Sequence, residues 1–178
     1  KDGLKVWVPT NVTYFCQWGT PEDLREFKYW TDLISGAGNT VFAAEREPEG
    51  KVLIPMAGAG QRFAEAGYRT HKPAIPTFDR FDGTKKPMVV CATKDLPGVS
   101  KEGANVIYVD RSFHREDGVE DAIRTYYAKA RFITIDHLTE GQACTCMLAE
   151  NYLDPEEPLL IAGCDNGMDI DREAFEKR

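Results

Sequence analysis

The chain has no apolar run near the roughly eighteen residues that a membrane-spanning helix needs, and no signal-peptide pattern at its start. A helical anchor is therefore excluded from the reading, and the cytoplasm is the expected compartment. An excess of positive charge is missing too. Lys+Arg at 22 against Asp+Glu at 29 give a net charge of -7, so the molecule has no global attraction for nucleic acid or an anionic membrane. Any phosphate must be held by a local arrangement. Cysteine is unpatterned: Cys16, Cys91, Cys144, Cys146 and Cys164 sit in apolar contexts without CxxC spacing, which argues for reduced core thiols over a disulfide frame or a zinc site. The histidines His71, His114 and His137 are scattered, with no partner readable from spacing, and are assigned surface or polar roles. No internal repeat or low-complexity tract is present.

With 178 residues and 42% hydrophobic content, the chain suffices for one α/β core. The most informative stretch is Lys51–Pro73. Val52, Leu53 and Ile54 run without alternation, as in a strand buried on both faces, and break into the loop Ala57-Gly58-Ala59-Gly60. Glycines at 58 and 60 let the backbone turn sharply and bring successive N–H groups close to an anion. Arg62 and Lys72 supply the charge that a polyphosphate requires, one as a planar fork and one as a point charge. A dinucleotide fingerprint fits less well, because it wants a third glycine or an alanine where the bulky Phe63 stands.

Taken in order, Val6–Val8 and Val12–Phe15 read as short strands, with Trp7, Trp18 and Trp30 as core or interface aromatics. Thr20, Pro21 and Asp23 open a helix with a capping-box pattern, and Leu24, Phe27, Trp30 and Ile34 give it an apolar face that ends at Ser35-Gly36. Residues 36–50 read as a linker or surface loop. A short helix at Gln61–Ala66 follows the glycine loop, and another helix starts near Pro87. Asn105–Val109, Phe132–Ile135 and Leu159–Ala162 read as strands, separated by helices at Glu116–Ala130 and Thr139–Leu153, the latter opened by a Thr139/Gln142 box. Asp169 and Asp171 are expected to cap a last helix. This alternation implies a mostly parallel sheet covered by helices, with ligands at the carboxyl ends of its strands.

Ile54-Pro55-Met56-Ala57-Gly58-Ala59-Gly60-Gln61-Arg62-Phe63, followed by Lys72-Pro73, resembles the signature of the sugar-phosphate nucleotidyltransferase family. Glu140-Gly141-Gln142-Ala143 looks like that family's nucleobase- or sugar-contacting turn, and Leu159–Asp165 like the strand ending in its metal-binding aspartate. The resemblance covers about residues 51–170. It implies a Rossmann-like sheet, here expected to be incomplete at its C-terminal end. It also implies that Ala57, Gly58, Ala59, Gly60 and Gln142 contact a nucleotide, that Arg62 and Lys72 act on the phosphates, and that Asp165 holds Mg²⁺. Gln17–Leu24 is similar to the piece that closes such a domain, with Gln17 where an aspartate often stands. Glutamine lacks the anionic oxygen that Mg²⁺ prefers, so a two-aspartate site is not expected. The expected division is residues 1–38 as a closing segment, 39–50 as linker and 51–178 as the nucleotide-binding part.

The implied activity joins a nucleoside monophosphate from a triphosphate to a sugar 1-phosphate or another small phosphorylated alcohol, releasing pyrophosphate. The alternatives are a nucleotide-binding or assembly module without full chemistry, and a glycosyltransferase using the acidic strand end, against which Arg62 and Lys72 argue. The expected partners are a triphosphate and a phosphorylated acceptor, with neither nucleic acid nor membrane. An apolar helix face and an open sheet edge predict a homo-oligomer or a partner domain.

Overall fold

The computed structural model describes residues 12–34, 49–170 and 175. The strand expected at Val6–Val8, the stop at Ser35-Gly36, most of the 36–50 linker and Asp171 lie outside the described residues. The chain runs β1 (Val12–Gln17), α1 (Pro21–Ile34), β2 (Lys51–Pro55), α2 (Gln61–Glu65), β3 (Pro76–Phe78), β4 (Lys85–Pro87) and α3 (Met88–Thr93). It continues through β5 (Val106–Arg111), α4 (Ser112–Glu116), α5 (Val119–Arg124), β6 (Arg131–Ile135), α6 (Gln142–Met147), β7 (Leu159–Ile161) and β8 (Asn166–Ile170), with 3-10 turns at Lys72–Ala74 and Glu150–Tyr152. Among the described residues no helix is long and apolar enough to cross a membrane.

Four of these strands form one parallel sheet in the order β6-β5-β2-β7. The uninterrupted apolar runs of β2 and β5 arise because both faces are buried: Val52, Ile54, Val106 and Tyr108 point into one cluster, Leu53, Ile107 and Val109 into another. The chain moves outward from β2 through β5 to β6, then returns to place β7 on the other side of β2. The reversal between β2 and β7 opens a crevice beyond their carboxyl ends. The glycine loop leaves β2 at that crevice, and Asp165 follows β7 there.

The segment before the sheet closes it from the side. β1 pairs antiparallel with β8, Gln17 opposite Asn166, and the Trp18 N–H donates to the Asp165 carbonyl at 2.9 Å. The capping box of α1 is formed: the Asp23 N–H donates to Thr20 Oγ1 at 3.2 Å, and the Thr20 N–H to Asp23 Oδ2 at 2.9 Å. Trp18 and Leu24 are buried with Phe63, Ile75 and Met88, so the N-terminal strand and helix share a cluster with the segment around the glycine loop. Trp30 is 49% exposed, so the apolar face of α1 is only partly covered.

Several expected elements are shorter than their periodicity suggested. The helix read over Glu116–Ala130 reduces to α5, which Gly118 caps at its start with a left-handed φ of 73° and separates from α4, the latter ending at Glu116. α5 ends at Arg124, and the turn that follows leaves Tyr127 buried at 5% exposure and Tyr126 outward at 38%. Thr139–Leu153 likewise reduces to α6 and the second 3-10 turn. Its N-cap is Gly141, while the Thr139 hydroxyl bonds that of Thr145 at 2.6 Å instead of forming a box with Gln142. Pro87 lies in β4 and serves as N-cap of α3. Asp169 lies in β8, paired with β1, and not at the start of a helix. Nor are the cysteines uniformly core residues: Cys16 and Cys91 are buried, Cys146 and Cys164 half-buried, and Cys144 exposed, all five as free thiols.

Candidate functional site

Beyond the carboxyl ends of β2 and β7 lies a cleft of about 480 Å³. Its floor is the loop 55–60, one wall is the segment 68–73, and the other walls come from the start of α6 and from residues 163–166. Gly60 has a φ of 63°, and a Cβ there would lie 3.6 Å from Lys72 Cβ, so the loop turns in a left-handed conformation directly against the lysine segment. Gly58 differs, since a Cβ added there would meet nothing within 4 Å. Its absence leaves open space on the cleft side without relieving any clash.

Lys72 and Asp165, 93 residues apart in sequence, meet in this cleft with Nζ donating to Oδ2 at 2.5 Å. Their side chains are 18% and 21% exposed, so water only partly screens the pair. The other carboxylate oxygen accepts from the Asn166 side-chain amide at 3.0 Å. A Cβ placed on Gly19 would lie 3.2 Å from Gln17 Nε2 and 3.8 Å from Asp165 Oδ2, so both side chains border Gly19. The Cys164 thiol next to it is pushed up to about 12 by burial, with the Asp165 charge adding, and stays protonated.

Among the described residues no three His, Cys, Asp or Glu side chains converge on a metal-sized point. Among the described residues, Asp165 is the one carboxylate lining the cleft. A single carboxylate completed by phosphate and water oxygens is an ordinary shell for Mg²⁺, so the donor set accommodates that ion without caging it.

One wall carries histidines. His71, immediately before Lys72, has Nε2 2.6 Å from Asp117 Oδ2 on the turn between α4 and α5, and its ring packs on Phe113 at 4.6 Å and against His114 at 5.4 Å. The His71 side chain is 32% exposed. His114 is 2% exposed, so of the surface or polar roles expected from sequence it takes a buried polar one. Burial holds its imidazole down at about 4, with the nearby His71 and Arg111 adding, so it is neutral near pH 7. Its Nδ1 accepts the Arg111 N–H at 3.3 Å, which fixes the ring at the start of α4.

Of the residues singled out in the sequence, Ala57, Gly58, Ala59, Gly60, Lys72, Gln142 and Asp165 line this cleft together. Gln142 is exposed, and its side chain is not consumed by a helix cap. Arg62 is exposed on α2 and is not among the lining residues, whereas Arg69, which the sequence reading passed over, is. His71 and His114 were missed as cleft residues because a lone histidine carries no local signal. The position of His71 directly before the Lys-Pro pair was the available clue. No protein-family model, curated protein or solved structure matches this chain.

Proposed function

We propose that the cleft binds a nucleoside triphosphate and that the chain is a Mg²⁺-dependent nucleotidyltransferase on a Rossmann-like sheet, acting on a sugar 1-phosphate or another small phosphorylated alcohol. The observation that carries this reading is the meeting of Lys72 and Asp165 beside the Gly58–Gly60 loop at the reversal of a parallel sheet. A phosphate oxygen of the acceptor would attack the α-phosphorus, the bond to the bridging oxygen would break, and pyrophosphate would leave with the electron pair. No protein nucleophile is required, so the chain's part is to position the reactants and balance charge. Backbone N–H groups of the loop would hold the triphosphate, and Lys72 would orient the attacking phosphate once released from Asp165. Gln142 would contact the base or the sugar. Asp165 would hold Mg²⁺, which supplies neutralisation of phosphate charge. Arg69 is better placed than Arg62 to meet the leaving phosphates.

Pyrophosphate release from each common triphosphate, paired with a panel of sugar 1-phosphates and polyol phosphates, tests the reading. Turnover abolished by Lys72→Ala and Asp165→Asn is the expected outcome, and a folded protein that releases none with any pair is the adverse one.

Gln17, paired with Asn166 next to Asp165 and standing where a carboxylate would strengthen metal binding, favours a second reading, a nucleotide-binding module without turnover. That reading gives thermal stabilisation by triphosphates with no product. We also propose self-association at the β7 edge, where Leu159 and Ile161 are 42% and 50% exposed. Light scattering across a concentration series should show mass rising above that of one chain, with a monomer throughout as the contrary result.

A further inference from the structure

The fixed charges lining the cleft fall well short of a polyphosphate. Arg69 and Lys72 are its permanent cations and Asp165 its anion, so one positive charge remains after Lys72 and Asp165 neutralise each other. Two lining groups could add charge, His71 and His114. His114 is almost fully buried and stays neutral near pH 7, whereas about a third of the His71 side chain is open to solvent.

We propose that His71, braced by Asp117, is a proton-switched phosphate ligand: it takes up a proton as a phosphate enters the cleft and donates a hydrogen bond to it. This rests on the cleft being a phosphate site. The geometry explains the assignment. Asp117 Oδ2 accepts from Nε2, which leaves Nδ1 as the remaining polar atom of the ring. In the neutral ring Nδ1 is a lone pair, which repels a phosphate oxygen. In the charged ring it is a donor, and a donor carrying full charge makes the stronger kind of hydrogen bond. Phosphate entry is therefore coupled to protonation of the ring. The face of Phe113 and the edge of His114 hold the ring against rotation, and the backbone is fixed by the Ala74 N–H donating to the His71 carbonyl at 2.9 Å.

The charged and titratable groups around His71 are few. Asp117 lies on Nε2, neutral His114 lies at the ring edge, and Lys72 follows in sequence with its ammonium turned to Asp165. The Arg111 guanidinium stacks on the far partner, Phe113, 5.2 Å from its centroid.

The probe is inorganic pyrophosphate, which needs no base contact. Titration calorimetry at pH 7.5 in two buffers of different ionisation enthalpy counts protons taken up on binding. Wild type should take up more protons than His71→Gln, and at pH 6 it should bind about tenfold more tightly than the variant. In wild type, the His71 Hε1 resonance should move toward its protonated position as pyrophosphate is added, a readout that needs no variant. Equal affinity and equal proton uptake in the two proteins, with an unmoved Hε1 signal, would overturn the role of His71 while leaving the phosphate cleft standing. Absence of pyrophosphate binding in wild type and variant alike would overturn both.

Discussion

At the scale of single residues, the carboxyl end of β5 joins two buried groups whose protonation preferences oppose each other. Asp110 is fully buried, and the Thr134 hydroxyl, which donates to Glu120 at 3.3 Å, offsets only part of the cost of burying the carboxylate. Burial pushes its carboxyl up to about 6, with the negative charge of Glu120 adding. Its folded value exceeds the unfolded one, so its contribution to stability is complete below pH 3.8 and is lost as pH rises through about 6. His114 runs the other way: its contribution is present above pH 6.5 and is lost as pH falls through about 4. The two slopes overlap and largely cancel. Asp110→Asn should therefore gain on the order of 2–3 kcal/mol relative to wild type between pH 4 and pH 7, measured by urea unfolding at each pH. His114→Gln should show the reverse trend, and parallel pH profiles for all three proteins would contradict the assignment.

The loop glycines separate binding from folding at the same scale. Gly58→Ala meets no neighbour and should unfold at the wild-type urea midpoint while losing triphosphate-induced stabilisation. Gly60→Ala forces an L-residue to a φ of 63° and should cost about 1 kcal/mol of stability even without ligand.

At the scale of elements, strands of the central sheet were legible and their lateral partners were not. The runs in β2 and β5 announce burial on both faces, and Leu53, fully buried, should cost about 2–5 kcal/mol as Leu53→Ala, read from the shift in denaturation midpoint. The β1–β8 pairing joins segments from opposite ends of the sequence, and nothing in either strand's own residues announces a partner so distant. Helix limits failed beyond Arg124 because the apolar spacing of Val119, Ile123, Tyr126 and Ala130 runs on past the end of α5, so periodicity alone reads a longer helix. The cleft was legible in part. Glycine spacing, Lys72 and Asp165 were visible because each falls at a strand end or within a local pattern. The outward direction of Arg62 depends on how a five-residue helix sits on the core, which its sequence does not encode.

Over the whole molecule, the N-terminal strand and helix are bound to the sheet at two places, through β8 and through the cluster of Trp18 and Leu24 with Phe63, Ile75 and Met88. A unit tied in this way should unfold together with the sheet. Trp18 is 1% exposed and reports the join, so intrinsic fluorescence and far-UV circular dichroism should trace one coincident urea transition. Separated transitions would show that residues 12–34 come away first. Trp18→Ala should lower the midpoint, with a cost of about 3–5 kcal/mol for the lost ring.

The Lys72–Asp165 pair has a consequence for how two ligands share the cleft. With the ammonium resting on one carboxylate oxygen, the protein holds an internal cation where Mg²⁺ would sit and an internal anion where phosphate would sit. A phosphate that draws Lys72 away leaves Asp165 open to a metal, and a metal on Asp165 frees Lys72 for phosphate. Each guest evicts the other's stand-in. Such an exchange makes occupancy reciprocal: whatever factor the metal adds to phosphate affinity, phosphate must add to metal affinity. On the proposed reading, the resting cleft would discriminate against either ion arriving alone and favour the pair delivered together.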